Sequence, residues 1–493
     1  MIAVVANQSD HDAVQEFFEL FKTPWRFYED GCGHDVLLCA QGELPASSAR
    51  LVVLCGSNLG PETARTRGGQ RVIHFESDLF AKVRQLLTTG QPADRATTPT
   101  LDHYIERLRA LIVENGIDLV EIPPVPPGFK FIACLTHDVD HARVRYHKWD
   151  PAIAGFLYRA TFGSLVDLCT GRKRLKHLAA NWMSAVSLPL VYTGAAADFW
   201  DQFEDFIDLE GAAPSTFFFV SRSGDPGLDA SGNKPWKRAV KYELNDVAKD
   251  ITQLHSARKE IAVHGIEAWR DASKGREERE ALQEVASSEE VGVRMHWLFF
   301  DESSPAKLEE AGFSYDSTFG YNGTIGFRAG TAQVFKPLQC EHLLELPLHI
   351  MDTALFFPSH LHLSAARAEA AIAPLLEHAA RSGGVLTVNW HDRSLGPERL
   401  WNEPYVSLIE SLRAKTAWFA TARDAVRWFR KRRKAKFEKV AEDGAVRVRV
   451  AHGFGDDLPP LQLRTHRSSS ADSRLPEFSD FALHASETFR AAA

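Results

Sequence analysis

Between residues 128 and 432 the chain alternates short apolar runs with longer amphipathic ones. KFIACLTHDVD, PSTFFFVS, EIAVHG, VGVRMHW, LLELPLHIM and GVLTVNWHD are the short runs, and DFWDQFEDFIDLEG and YELNDVAKDITQLHSARK between them have helical apolar spacing. Strand followed by helix, repeated, predicts a parallel β/α architecture, either a barrel or an open doubly wound sheet. Chemistry in such folds gathers at the C-terminal ends of the strands. Asp138, His264, Arg294, His349 and His391 all fall at or near those ends.

Residues 1–125 read as a separate, small α/β domain, with strands in MIAVVA and RLVVLCG and a helix in LDHYIERLRALIVENG. The polar TTGQPADRATTPT and the turn-rich PPVPPG place a boundary near Pro127. An insertion at 143–190 interrupts the second region. It carries Arg143, Arg145, Lys148, Arg159, Arg172, Lys173, Arg174 and Lys176 against Asp150 and Asp167, with apolar pieces such as IAGFLY and FGSLVDL. Such a basic amphipathic segment is a solvated helical excursion, a contact with an anionic membrane surface, or a cover for a cleft. Past RKRRKAKFEK, the stretch 433–493 is expected to hold a short strand in GAVRVRVAHGF and a Ser- and Ala-rich disordered tail from 465.

Composition narrows the class. The 493 residues are 44% hydrophobic, as in ordinary globular proteins, and a net charge of −8 argues against a nucleic-acid partner. Six cysteines without a C-x-x-C pair point to reduced, buried thiols. MIAVVANQSDHD lacks a basic start and its apolar run is too short for a signal peptide. No uninterrupted apolar run reaches about 18 residues, so no membrane span is expected. A cytoplasmic location follows as the expectation, with the 143–190 insertion as the candidate for peripheral contact at the inner membrane face.

The chemistry is concentrated in LTHDVDH. Side chains alternate along a strand, so Asp138 and Asp140 face one way while Val139 faces the core. Two carboxylates aimed at one spot repel unless a cation or proton lies between them. HDVDH, AVHGIEAW, VRMHWLFFD and VNWHDR, each at a strand end, together offer the carboxylate and imidazole ligands of zinc or another divalent ion. A spare carboxylate can take a proton from water, and a spare histidine can protonate a leaving group. Taken singly, a histidine at a strand end is more often a structural, hydrogen-bonded residue.

In their order these segments resemble the polysaccharide deacetylase family, the NodB-homology carbohydrate esterases. The resemblance rests on THDVD, EIAVHG, VRMHW, YDSTFG, GFRAGT, ELPLHIMD and VNWHD. It is nearest to a divergent bacterial branch with THDVD where typical members have TFDDG. It implies a distorted (β/α) barrel over 128–432 and a divalent metal, zinc by expectation. Carried over by position, Asp138 is the general base, Asp140 and His264 are metal ligands, Arg294 braces the base and His391 is the general acid. The family's second motif has a further histidine where this chain has Ala268. His296 lies two positions beyond Arg294 on the same strand face and is the candidate replacement, against a role in folding or substrate binding. Arg328 and Asp316 are expected to pair with each other, while Glu345, Pro347 and Asp352 flank the fourth motif.

The implied activity is metal-dependent hydrolysis of an amide, removing an N-acetyl or other acyl group from a sugar in a cell-surface or lipid-linked glycan or its precursor. Ala268 favours a different class, an inactive glycan-binding or scaffold protein that keeps the barrel. A metal-free glycosidase built on Asp138 and a second carboxylate leaves His264 and His391 without work. The chain has no G-x-S-x-G, P-loop or G-x-G-x-x-G.

Overall fold

The computed structural model describes residues 1–40, 44–56, 63–67, 70–75, 78–171, 173–286, 288–439, 446–450, 455–467, 478–483 and 487–489. Arg172 of the basic insertion lies outside them.

In the N-terminal unit, Trp25–Phe27, Ile2–Val5, Val36–Cys39, Leu51–Leu54 and Gln70–His74 form a parallel sheet in that order, with Thr63–Arg67 antiparallel at its edge. Helices His11–Phe21, Leu79–Thr88 and Thr100–Glu114 cover it through Phe17, Phe18, Phe80, Val83, Leu108 and Ile112. Phe319, Ala329 and Phe335 of the second region enter this same apolar cluster. The unit is therefore packed onto the barrel, not tethered beside it. Buried polar contacts reinforce the junction: Gln91 donates to the Phe327 carbonyl at 2.8 Å, and Asp102 accepts from His378 at 2.8 Å and from the Ala332 amide at 3.0 Å.

The second region is built on nine parallel strands. Eight run in the order Leu344–Glu345, Tyr315–Asp316, Val293–Met295, Glu260–Gly265, Ser215–Phe219, Phe131–Val139, Val385–Asn389 and Ile350–Met351, while Ala417–Phe419 pairs with the start of Phe131–Val139. The two end strands are joined in sequence by residues 346–349. Ile132, Phe218, Ala262, Tyr315, Leu344 and Val385, drawn from strands across the sheet, share one interior cluster with Trp428 and Phe429 of helix Ala422–Lys434. The sheet is thus curled into a distorted (β/α) barrel with that helix beneath it.

Phe131–Val139 explains why the pattern in FIACLTHDV is continuous rather than alternating. All nine residues are buried because helices cover one face and the barrel interior covers the other. Phe131, Ala133, Leu135 and Val139 join the outer layer with Phe203 and Phe206, whereas Ile132 and Cys134 point inward. Each fully buried side chain of this size contributes about 1.5–3 kcal/mol. His137, on the outer side, bonds the Trp390 carbonyl and Glu210, both at 2.7 Å, and Glu210 also accepts from Lys259 and Tyr405 at 2.6 Å.

The insertion forms a helical pair. Asp150 caps Pro151–Tyr158 by accepting from the amides of Ala152 and Ile153, a π-turn at Arg159–Gly163 leads into Ser164–Cys169, and Leu175–Thr193 returns. Val144, Ile153, Phe156, Ala160, Leu188, Val191 and Trp200 make its own small core.

The tail corrects the sequence expectation. Val446–Arg449 is a strand as expected, but Phe478–Leu483 and Glu487–Phe489, inside the segment expected to be disordered, are strands too. Phe478–Leu483 pairs antiparallel with Leu461–His466, Leu461, Leu463 and Leu483 join the cluster under Trp428, and Arg464 pairs with Asp480 at 2.8 Å. Ser and Ala content concealed this because a few apolar residues at the right register suffice to anchor an edge strand. Leu461–His466 also pairs with Leu119–Glu121, so the end of the N-terminal unit and the end of the chain share a sheet.

Candidate active site

Strands Phe131–Val139, Glu260–Gly265, Val293–Met295 and Val385–Asn389, with the loops that follow them, converge at the C-terminal end of the barrel. Asp138 ends the first strand, and its two oxygens have separate partners: Arg294 Nη1 at 2.9 Å on Oδ1 and Asn389 Nδ2 at 2.7 Å on Oδ2. Arg294 is itself fixed, donating to Thr136 Oγ1 at 2.7 Å, the Ser317 carbonyl at 3.0 Å and Ser317 Oγ at 2.9 Å, with its guanidinium 4.4 Å over the Phe218 ring. Burial alone would push the Asp138 carboxyl up, yet the surrounding His264, Arg294 and His391 hold it below the ordinary carboxylate range.

Asp140, His264 and His296 gather one layer higher. His264 and Arg294 are register partners on adjacent parallel strands, and the His264 Nδ1–H donates to the Arg294 carbonyl at 2.9 Å. Its Nε2 is thereby turned to Asp140 Oδ1 at 3.3 Å. His296, the first residue past Val293–Met295, brings its own Nε2 to the same oxygen, also at 3.3 Å. Asp140 Oδ1 is buried and accepts no hydrogen bond. Burial pushes the His296 imidazole down to about 3. Ligand atoms of the three residues lie within 4.8 Å of one another. An orphaned carboxylate oxygen facing two imidazole nitrogens fits a divalent cation.

Local backbone geometry keeps His296 in place. Trp297 and Leu298 adopt left-handed φ angles of 63° and 51°, a conformation costing about 1–3 kcal/mol per residue unless its surroundings enforce it. Arg238, fully buried, does so: it donates to the His296 carbonyl at 2.8 and 3.1 Å and to the Ile266 carbonyl just past His264 at 2.8 Å.

His391 stands across from this cluster, its Nε2 4.0 Å from Asp140 Oδ2. Asp352 anchors it, bonding Nδ1 at 2.6 Å and accepting from the His391 amide at 2.8 Å. Burial pulls the imidazole down, but Asp352, Asp140 and Asp138 outweigh it and raise it to about 9. Asp140 and His391 are the partly exposed members of the cluster and mark its mouth.

The structure thus brings Asp138, Asp140, His264, Arg294, His296 and His391 together. It places His349 elsewhere, buried in the wall with Nε2 3.3 Å from the Thr331 carbonyl. The pairing expected between Arg328 and Asp316 does not form. Arg328 donates to the Gly320 carbonyl at 2.9 Å and lies over Phe319, while Asp316 is buried against Glu345. Ala268 is buried in the outer layer beneath helix Ala272–Ala286, where a Cβ on Gly275 would lie 3.0 Å from the Ala268 Cβ. Ala268 is thus a buried packing residue against this helix. Asn389, within VNWHDR, joins the site although the sequence pattern does not single it out; it is in register with Thr136, two positions before Asp138, and so faces the same interior.

Comparison with solved structures finds distant likenesses to deacetylases and to an allantoinase. One structure, described as a polysaccharide deacetylase from Mycobacterium smegmatis, is 23% identical with a TM-score of 0.38, over 63% of this chain and 95% of that one. An allantoinase is 17% identical with a TM-score of 0.36, over 62% and 92%, and the peptidoglycan deacetylase PdaC from Bacillus subtilis is 8% identical with a TM-score of 0.28, over 63% and 95%. No protein-family model and no curated protein matches the chain.

Proposed function

We propose that this chain is a metal-dependent hydrolase that removes an N-acyl group, acetyl in the simplest case, from a sugar in a glycan or its precursor. The observation that supports it most is the orphaned Oδ1 of Asp140 between His264 and His296, beside an Asp138 that is braced at both oxygens. Asp140, His264 and His296 are the residues that would hold the ion, and their mixed oxygen and nitrogen set suits zinc. When bound, a divalent ion supplies Lewis-acid polarisation of the acyl carbonyl and acidifies water.

Asp138 accepts the proton of the attacking water. Arg294 keeps it ionised at neutral pH, and Asn389 and Arg294 fix its orientation, so no reorganisation is needed as charge develops. His391, cationic because Asp352 faces it, donates a proton to the departing nitrogen. Trp297, 42% exposed beside His296, offers an apolar ring face on which a sugar can stack.

The inactive-scaffold reading draws its force from Ala268; His296 beside Asp140 Oδ1 favours the hydrolase over it. Acetate release from N-acetylated oligosaccharides by zinc-loaded protein tests the proposal. Release by the wild type and none by Asp138→Asn is the expected result. No release from any N-acetyl sugar, with wild type and Asp138→Asn indistinguishable, would overturn it.

A further inference from the structure

The helical pair inserted at 151–193 leaves an apolar face uncovered. Along Pro151–Cys169 the exposed positions are Pro151, Ala154, Tyr158, Phe162, Leu165, Val166 and Cys169, a stripe at helical spacing with no charge in it. The returning helix exposes a matching stripe through Leu175, Trp182, Met183, Val186 and Leu190. Trp149, at the head of the first helix, is 97% exposed. A contiguous exposed apolar face of this kind marks an interaction surface.

Charge decides what the surface fits. Among the described residues from 148 to 192, every exposed charged side chain is basic: Lys148, Arg174 and Lys176. The two acids are engaged, Asp150 with His147 at 2.7 Å and Asp167 with Lys173 at 3.4 Å. Aromatic rings at the apolar edge with basic residues around them, and no exposed acid within the segment itself, Glu403 beside Lys176 belonging to a neighbouring helix, match the interface of an anionic bilayer. The segment Pro151–Cys169 is long and apolar enough to cross a membrane by length and composition alone, while Arg159 and Asp167 keep it from being the uninterrupted apolar run that the sequence lacks. It is nevertheless held on the protein: Ile153, Phe156 and Ala160 pack in a core with Trp200, and Arg159 sits inside its length.

We propose that this helical pair lies flat on an anionic membrane surface, with its apolar stripes in the headgroup and acyl boundary. The pair leaves the barrel directly after Asp140 and is seated on the loop that carries His391, with Lys173 donating to the Glu398 carbonyl at 2.9 Å and Lys176 facing Glu403 at 3.2 Å. Docking of this surface therefore brings the candidate active site to the membrane.

Co-sedimentation of the full chain with vesicles of phosphatidylcholine containing about one third phosphatidylglycerol tests this, with pure phosphatidylcholine as the comparison. Wild type is expected to bind the anionic vesicles more strongly and to release as salt rises. Phe162→Asp with Trp182→Asp should weaken binding by about tenfold or more, and Lys148→Glu by several-fold. Trp149→Asp, at a fully exposed position, serves as the second variant if the double change perturbs folding. Asp138→Asn should bind as wild type does, so loss of hydrolysis leaves this result untouched. Wild type that stays in solution with both vesicles, or apolar-face variants that bind equally well, would overturn the proposal. So would self-association that the double variant abolishes in a protein that ignores vesicles, which would assign the face to a second copy of the chain.

Discussion

His296 Nε2 and Asp140 Oδ1 lie 3.3 Å apart, and no hydrogen bond satisfies that oxygen. The pair makes the first prediction specific. His296→Ala should lower zinc affinity by at least the 10–100-fold typical of losing a supporting group around a metal, as measured by metal competition with a chromophoric chelator. Ala268→His should not restore it. The added ring meets the helix at Gly275, so a loss of about 1–3 kcal/mol in denaturant unfolding is expected instead.

Asn389→Asp places a second carboxylate at 2.7 Å from Asp138 Oδ2. Like charges that close share a proton, so the Asp138 carboxyl should titrate higher. The acid limb of the kcat/KM profile is expected to move upward by about 1 unit or more while Asn389→Ala moves it less.

His391 sits at about 9 because Asp352 stabilises its protonated form. Its raised value means that the cation, and the stability it lends, is fully present below the ordinary histidine range and lost as pH rises through about 9. The alkaline limb of kcat/KM should therefore lie near that pH in wild type. Asp352→Asn should shift it toward neutral pH and lower kcat more than it alters KM.

Asp316 and Glu345 are both buried and both pushed upward, by burial first and then by each other's charge in the case of Glu345. A carboxyl raised in the folded state binds its proton more tightly there, so stability falls as pH rises past the ordinary carboxylate range of about 4. Asp316→Asn retains an oxygen to accept from the Thr318 amide and removes the titration. Its melting temperature should exceed that of wild type at pH 8, by the equivalent of about 1–3 kcal/mol, and the gain should vanish in acid.

The strand-and-helix alternation made the barrel legible, because a strand buried on both faces leaves a run such as FIACL that few other environments tolerate. Strand periodicity suggested a common direction for Asp138 with Asp140 and for Arg294 with His296, although Asp140 and His296 each lie one residue beyond the strand, where the following turn sets their direction. Asn389 and Arg238 were opaque for different reasons. Asn389 depends on which strand neighbours Phe131–Val139, a relation between positions far apart in sequence, and Arg238 lies in a loop whose partners are backbone carbonyls that no sequence pattern displays. The tail was misread because composition averages over the register that anchors Leu461, Leu463 and Leu483.

The pairing of Leu119–Glu121 with Leu461–His466 also sets a timetable. Glu121 and His466, 3.0 Å apart in the finished molecule, are separated by 345 positions. At about 5–20 residues per second, roughly 20–70 s pass between synthesis of one strand and arrival of the other. Throughout that interval Leu119–Glu121 lacks the sheet partner it has among the described residues, because Leu461–His466 is not yet made. Among the described residues Leu461–His466 is the sheet partner of Leu119–Glu121, so a truncation that removes it leaves unpaired an edge laid down hundreds of residues earlier.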